Sequence, residues 1–162
     1  MLVGMSTGTA RRIAARALGL AEFGHAHWFF GNLYEAVVRV PDRLADREGG
    51  ASPVGVGSPV RYYLVGAPLT LPAALAAAVA GWGDRGGRPW LVAAVVCSGV
   101  GVGLTAHLVR TVNLDLFFRD RVPSADERKA LLRAWYRVNA ARLVATGGAL
   151  VAARVARSRL SR

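Results

Sequence analysis

Apolar positions gather into four long stretches separated by short charged ones. The first covers about residues 15–40, with ALGLAEFGHAHWFFGNLYEAVVRV from Ala17 onward. It is apolar in sum, yet it carries Glu22, His25, His27, Asn32 and Glu35. The second covers 60–82 and the third 90–112. The fourth begins as a charged amphipathic run at Ala125 and becomes apolar over about 139–157. No charged residue occurs in the 22 positions from Tyr62 to Gly83 or in the 21 from Pro89 to Val109. A helix needs about 20 apolar residues to cross a bilayer core, so each run is long enough. The pattern predicts an all-α chain: an integral membrane four-helix bundle with an amphipathic extension before the last helix. It forms a single transmembrane domain over 1–162, with helices near 15–40, 60–82, 90–112 and 125–157.

Local punctuation supports these boundaries. Pro41 is expected to close the first helix, and the Gly-, Pro- and Asp-rich residues 42–58 read as a loop. Pro68 and Pro72 should bend or locally break the second helix. The GDRGGRP turn at 83–89 makes helices two and three antiparallel neighbours. Gly99, Gly101 and Gly103 offer small faces for close helix packing. From Asn113 to Arg137 apolar and charged residues intermix. Ser124 followed by Glu127 is a capping box that opens the last helix.

Composition agrees with this reading. The chain is 53% hydrophobic, with 21 Lys+Arg against 10 Asp+Glu and a formal charge of +11. Such hydrophobicity excludes disorder, and the single Cys97 excludes a disulfide scaffold. A soluble nucleic-acid binder is the obvious reading of so basic a chain. The cations, however, sit at the ends of the apolar runs, where lipid head groups lie. The expected partners are therefore a lipid bilayer and a small lipophilic molecule, with no nucleic acid. Arg16 interrupts the first stretch where a signal peptide would be apolar. The basic terminal segments, Arg11, Arg12, Arg16 and Arg154–Arg162, place both termini on the cytoplasmic side of a multi-pass cell-membrane protein.

Ionisable groups inside a bilayer are costly unless paired or hydrated, so they mark candidate sites. At 100° per residue, Glu22, His25, Asn32 and Arg39 share one face of helix one, with Glu35 at its margin and His27 opposite. His107, Arg110 and Thr111 share a face of helix three with Gly103. Trp135, Asn139, Arg142 and Thr146 share a face of helix four. If the spans alternate in direction, Asn32, Glu35, His107, Asn139 and Arg142 meet at one depth and form the primary candidate site. Glu22 and His25 form a second group toward the other side. Two readings remain open. In one, Glu22, His25, Glu35 and His107 act as acid–base groups or metal ligands, since Glu and His at i, i+3 is a spacing used by di-iron bundles. In the other, carboxylates pair with Arg110 or Arg142 and the histidines bond to backbone carbonyls. No cofactor motif is present. His27 beside Trp28 reads as an interface residue, Tyr62 and Tyr63 as an aromatic belt, and Cys97 as a packed thiol.

The run E-x(7)-W-x(3)-N-x(2)-R leads from Glu127 through Trp135 and Asn139 to Arg142. With Asn113 and the polar stretch from Glu22 to Asn32, it resembles the anthrone oxygenase-like family of small four-helix integral membrane proteins. The resemblance implies a cofactor-independent oxygenase that acts on a lipophilic, aromatic metabolite in secondary metabolism. In that reading Glu22 or His25 takes a proton, Asn139 and Arg142 stabilise the resulting enolate or phenolate, and His107 is a second relay or a metal ligand. Trp135 and Asn113 join Glu22 and His25 in binding substrate. The HAHWFFGN and SPVRYY stretches lie outside the motif. The alternative is a non-catalytic membrane scaffold or small-molecule transport module. An enzyme requires a buried cavity joining the polar stripes; a scaffold requires paired charges and a filled interior.

Overall fold

The computed structural model describes residues 6–45, 59–118 and 123–161. Among these the chain is all-helical, with no strand. Helix α1 (Thr7–Val37) is opened by Ser6, whose hydroxyl accepts from the Thr9 amide at 3.3 Å. It begins well before the expected position 15. It also ends before Pro41: Arg39 adopts φ 54°, a left-handed conformation that reverses the chain. Pro41 therefore lies in the first turn of a short helix, α2 (Val40–Ala45), where its missing N–H is harmless. The expected loop over 42–58 is thus helical up to Ala45, and its remainder lies outside the described residues.

The second apolar stretch forms α3 (Pro59–Tyr63) and α4 (Ala67–Gly81), separated by a turn at 64–66. The second helix, expected to bend or locally break at Pro68 and Pro72, breaks at 64–66; Pro68 sits in the first turn of α4 and Pro72 lies inside it. The predicted turn is present, with the Asp84 carbonyl accepting from the amides of Gly87 (3.2 Å) and Arg88 (3.1 Å). Helix α5 (Arg88–Leu108) continues without a break as a π-helical segment, Val109–Phe118. Asn113 therefore belongs to the helix rather than opening a new region. The last helix, α6 (Ala125–Leu160), starts at the Ser124/Glu127 capping box, as the sequence indicated.

Helix α1 packs against α4 and α6, and α5 packs against α6 and α4. Directions alternate. Ala14 and Leu18 near the start of α1 meet Ala77 near the end of α4, Leu91 near the start of α5 and Ala156 near the end of α6. Alanines dominate this end, so the helices approach closely and fill the space between them. At the opposite end Leu108, Val112, Leu116, Phe117 and Trp135 form a second, bulkier cluster. A layer of buried polar side chains lies between the clusters: His25, Thr70, Ser98, Asn32, Asn139, Arg142 and Thr146.

Of the three glycines singled out on α5, Gly101 faces Trp28 and Thr146, 3.5 Å from where an added Cβ would lie, while Gly99 and Gly103 face open space. The tighter approach is at Gly24, where an added Cβ would lie 2.7 Å from Thr70 Cγ2 and 3.1 Å from the Gly66 carbonyl oxygen. Gly24→Ala is therefore expected to destabilise the fold by about 1–2 kcal/mol, after the gain in helix propensity. Gly99→Ala, with nothing to strike, should stabilise it by about 0.5–1 kcal/mol. Thermal unfolding of the two variants side by side tests this; equal shifts would mean that α1 and α4 are not in contact at Gly24.

Two segments, Val60–Gly81 and Arg88–Phe118, are long and apolar enough to cross a membrane. Only 33% and 22% of their most apolar windows is buried in the protein.

Candidate functional site

Alternation of the helices brings the end of α1 beside the first half of α6. Asn32 and Asn139 lie opposite each other there, and Arg142 is one turn further along α6. The Asn139 Nδ2 donates to the Asn32 carbonyl oxygen at 3.1 Å, and the Arg142 Nη2 donates to Asn32 Oδ1. Asn32 is 0% exposed, Asn139 1% and Arg142 4%. The Thr146 hydroxyl donates to the Arg142 carbonyl at 2.8 Å, which ties its side chain to the α6 backbone. The network is incomplete. Asn32 Nδ2, Asn139 Oδ1 and Arg142 Nε are buried with no partner in the protein. Buried polar atoms are rarely left so, and several together mark a place built for a ligand or water.

Beside this network is a cavity of about 190 Å³. Arg142 and Glu35 form a polar wall with Tyr63, whose hydroxyl faces Glu35 without closing a hydrogen bond of normal geometry. Trp28, Trp135, Phe117 and Phe118 supply aromatic walls. Asn113 contributes a further unpartnered oxygen from the π segment. Val40, Pro41 and Leu44 of α2 cover one side. The guanidinium thus sits among apolar groups with a carboxylate as its nearby counter-charge, an arrangement able to hold a weakly acidic aromatic molecule and to move one proton.

Helix α2 is held in place by Asp42, which accepts from the Tyr136 hydroxyl at 2.5 Å and from Arg39 at 2.6 Å. Partial burial of the Asp42 carboxyl raises its pKa, but the hydrogen bonds from Tyr136 and Arg39 outweigh this and hold it below the ordinary value. Because the folded pKa is depressed, the contribution to stability is present above the unfolded pKa, about 3.9, and is lost as pH falls through the folded value. Tyr136→Phe should therefore lower Tm at pH 6 by an amount corresponding to about 1–2 kcal/mol. The difference from wild type should shrink progressively as pH falls below about 3.9 toward the folded value. A difference independent of pH would place the effect in packing rather than in this hydrogen bond.

The primary residues expected from sequence do not all converge. Asn32, Asn139 and Arg142 meet, Glu35 and Arg142 share the cavity, and Asn113 and Trp135 line it. His107 does not join them: it is exposed on α5 and is not among the cavity's lining residues. The buried stripe of α5 runs through Ala94, Ser98, Gly101 and Leu108, and His107 lies beside that stripe rather than on it. Glu22 and His25 are also away from the cavity. Glu22 pairs with Arg157 (3.4 Å) and Arg154 (3.9 Å) of α6, not with Arg110 or Arg142. His25 is buried, with Nε2 2.8 Å from Ser98 Oγ. Since the Ser98 hydroxyl donates to the Ala94 carbonyl at 2.6 Å, it accepts from His25. Glu22 and His25 thus join α1 to α6 and α5 by these contacts and do not line the cavity. The expected partner of Arg142, a carboxylate on helix one, is present as Glu35 across the cavity, but the direct bond is to Asn32. Among the described residues no three His, Cys, Asp or Glu side chains are grouped to hold a metal ion.

Sequence reasoning missed Trp28, Tyr63, Thr105, Phe117 and Phe118 as lining residues. Tyr63 had been assigned to an aromatic belt; the turn at 64–66 instead aims α3 across the end of the cavity. His27 stacks on Tyr62, with ring centroids 4.0 Å apart, and its Nε2 lies 2.9 Å from the Tyr62 carbonyl oxygen. Cys97 is a half-buried free thiol against Gly148.

Comparison with protein-family models, characterised proteins and solved structures finds no match to this chain. The resemblance to the anthrone oxygenase-like family rests on the motif residues alone.

Proposed function

We propose that the chain is a membrane-embedded enzyme that binds a lipophilic, weakly acidic aromatic metabolite and removes a proton from it, committing it to oxidation by dioxygen. Four spans are proposed, with α1 and α6 completing the bundle begun by the two more apolar segments. Outward-facing Phe23, Phe30, Val37, Val144 and Val151 support this, because α1 and α6 present apolar side chains outside and polar ones inside. Both termini lie at one end of the bundle and are proposed to be cytoplasmic on their basic terminal segments, Arg11, Arg12, Arg16, Arg154, Arg157 and Arg159. Arg39, Arg43, Arg61, Arg110, Arg128, Lys129, Arg133 and Arg137 lie toward the other end.

One observation carries the catalytic reading: Glu35 and Arg142 share the polar wall of a cavity lined mainly by aromatic and aliphatic side chains. Glu35 is the general base, replacing Glu22 and His25 in that role. Arg142, held by Asn32, stabilises the enolate or phenolate oxygen, and Trp28 and Trp135 hold the ring. A preorganised cation in a water-poor cavity favours the anion far more than water does. The electron-rich anion then reacts with dioxygen, with no resident cofactor required. Oxygen uptake by the purified protein, with one- to three-ring phenols and anthrones as substrates, tests the proposal. Uptake with at least one member, dependent on Glu35 and Arg142, is expected. Saturable binding of none of them would overturn the reading.

A further inference from the structure

The cavity's size and its open side say more about the ligand. A sealed cavity of about 150 Å³ accommodates benzene. The 190 Å³ here suits one or two fused rings, less than the space typical of a drug-sized ligand. The polar atoms are arranged for oxygen functions on more than one side of a ring. Arg142 Nε and the Tyr63 hydroxyl are unpartnered donors, and Asn113 Oδ1 is an unpartnered acceptor on the π segment.

Among the described residues the cavity is not closed all round. Helix α3 packs on α1, while Val60, Ala67, Thr105 and Val109 line the side where α3 and α4 face α5. Val60, Ala67 and Thr105 are only half-buried, and Val109 is 38% exposed. The rim is therefore mainly apolar. It belongs to the two segments long and apolar enough to cross a membrane, so it faces hydrocarbon when they are embedded. A free, water-soluble phenol gains nothing from such an exit. A ring bearing a hydrocarbon chain does, because the ring fills the cavity while the chain stays in lipid.

We propose that the ligand is a one- or two-ring phenol or quinol head group carrying a hydrocarbon tail that leaves between α4 and α5. This rests on the membrane reading and the cavity assignment above, and narrows the substrate class. The polar wall of Arg142, Tyr63 and Glu35 takes one ring oxygen, and Asn113 takes a hydroxyl on the far side. The first part of the tail packs against Val60, Ala67 and Val109 at the exit and contributes affinity there, while the rest stays in lipid.

The probes are menadione, a two-ring compound without a tail, and menaquinone, the same ring bearing an isoprenoid chain, both reduced to the hydroquinone and kept under argon. Binding is read as quenching of Trp28 and Trp135 in the full chain in lipid nanodiscs, with Trp82→Phe and Trp90→Phe removing the signal from the other end. Concentrations are counted per lipid, so that partitioning alone gives no difference. Menaquinone should bind at least tenfold more tightly than menadione. Val109→Phe, which narrows the exit at a half-exposed position of the lining, should weaken menaquinone at least tenfold more than it weakens menadione. Equal affinity of the two probes, or indifference of menaquinone to Val109→Phe, would overturn the tailed-ligand proposal. Binding or turnover of tail-free phenols or anthrones in that case would leave the enzymatic reading standing. Absence of binding by every compound would remove both.

Discussion

Arg142→Leu is expected to cost about 3–5 kcal/mol of stability, because it removes one member of a buried polar group and leaves the others without it. Asn32 Oδ1 loses its donor from α6, and Glu35 loses the positive charge across the cavity. The apolar leucine side chain cannot hydrogen-bond either group. Arg142→Lys keeps the charge but gives up the planar fork that can reach Asn32 and a ligand together, so its loss should be smaller. Adding Asn32→Leu to Arg142→Leu should recover part of the cost, since replacing both partners with apolar groups removes the stranded acceptor. Denaturant titration of the purified protein measures all three. An Arg142→Leu protein as stable as wild type would mean that the Asn32 layer is hydrated and contributes no cohesion.

What the sequence made legible follows from the physics of each signal. The capping box at Ser124 and the GDRGGRP turn are local, so they were readable without knowledge of the fold. Asn32 and Glu35 on α1, and Trp135, Asn139 and Arg142 on α6, were readable because helical periodicity groups them and alternation of direction sets a common depth. Periodicity states which residues share a face, but not which face turns inward. His107 was misplaced for that reason. The inward stripe of α5 is marked by small residues, Ala94, Ser98 and Gly101, and a stripe of that kind is the better guide where helices pack closely. Two irregularities hid the rest of the cavity. Arg39 in a left-handed conformation folds α2 back over the site, and a positive φ at a non-glycine residue has no sequence signature. At 100° per residue Asn113 and Phe117 share a face, but Phe117 falls well round the helix from Thr105. The π segment after Leu108 turns less per residue and so keeps Thr105, Val109, Asn113 and Phe117 on the side that lines the cavity.

Glu35→Gln is expected to lower turnover about 10²–10⁴-fold, the usual contribution of a positioned general base. Glutamine matches the size of glutamate but cannot take the substrate proton. Its effect on binding should have the opposite sign. In the wild-type protein the carboxylate competes with an anionic ligand for Arg142; with the charge removed, a pre-formed phenolate meets the guanidinium alone. KM should therefore remain unchanged or fall while kcat falls, the signature of a lost transition-state role rather than a damaged site. His107→Ala provides the contrast, because an exposed residue outside the cavity lining should leave both constants near wild type. Steady-state oxygen uptake over a range of substrate concentrations separates the two constants. A Glu35→Gln enzyme with wild-type kcat would remove Glu35 as the base, and a His107→Ala enzyme with lost turnover would return the proton chemistry to α5.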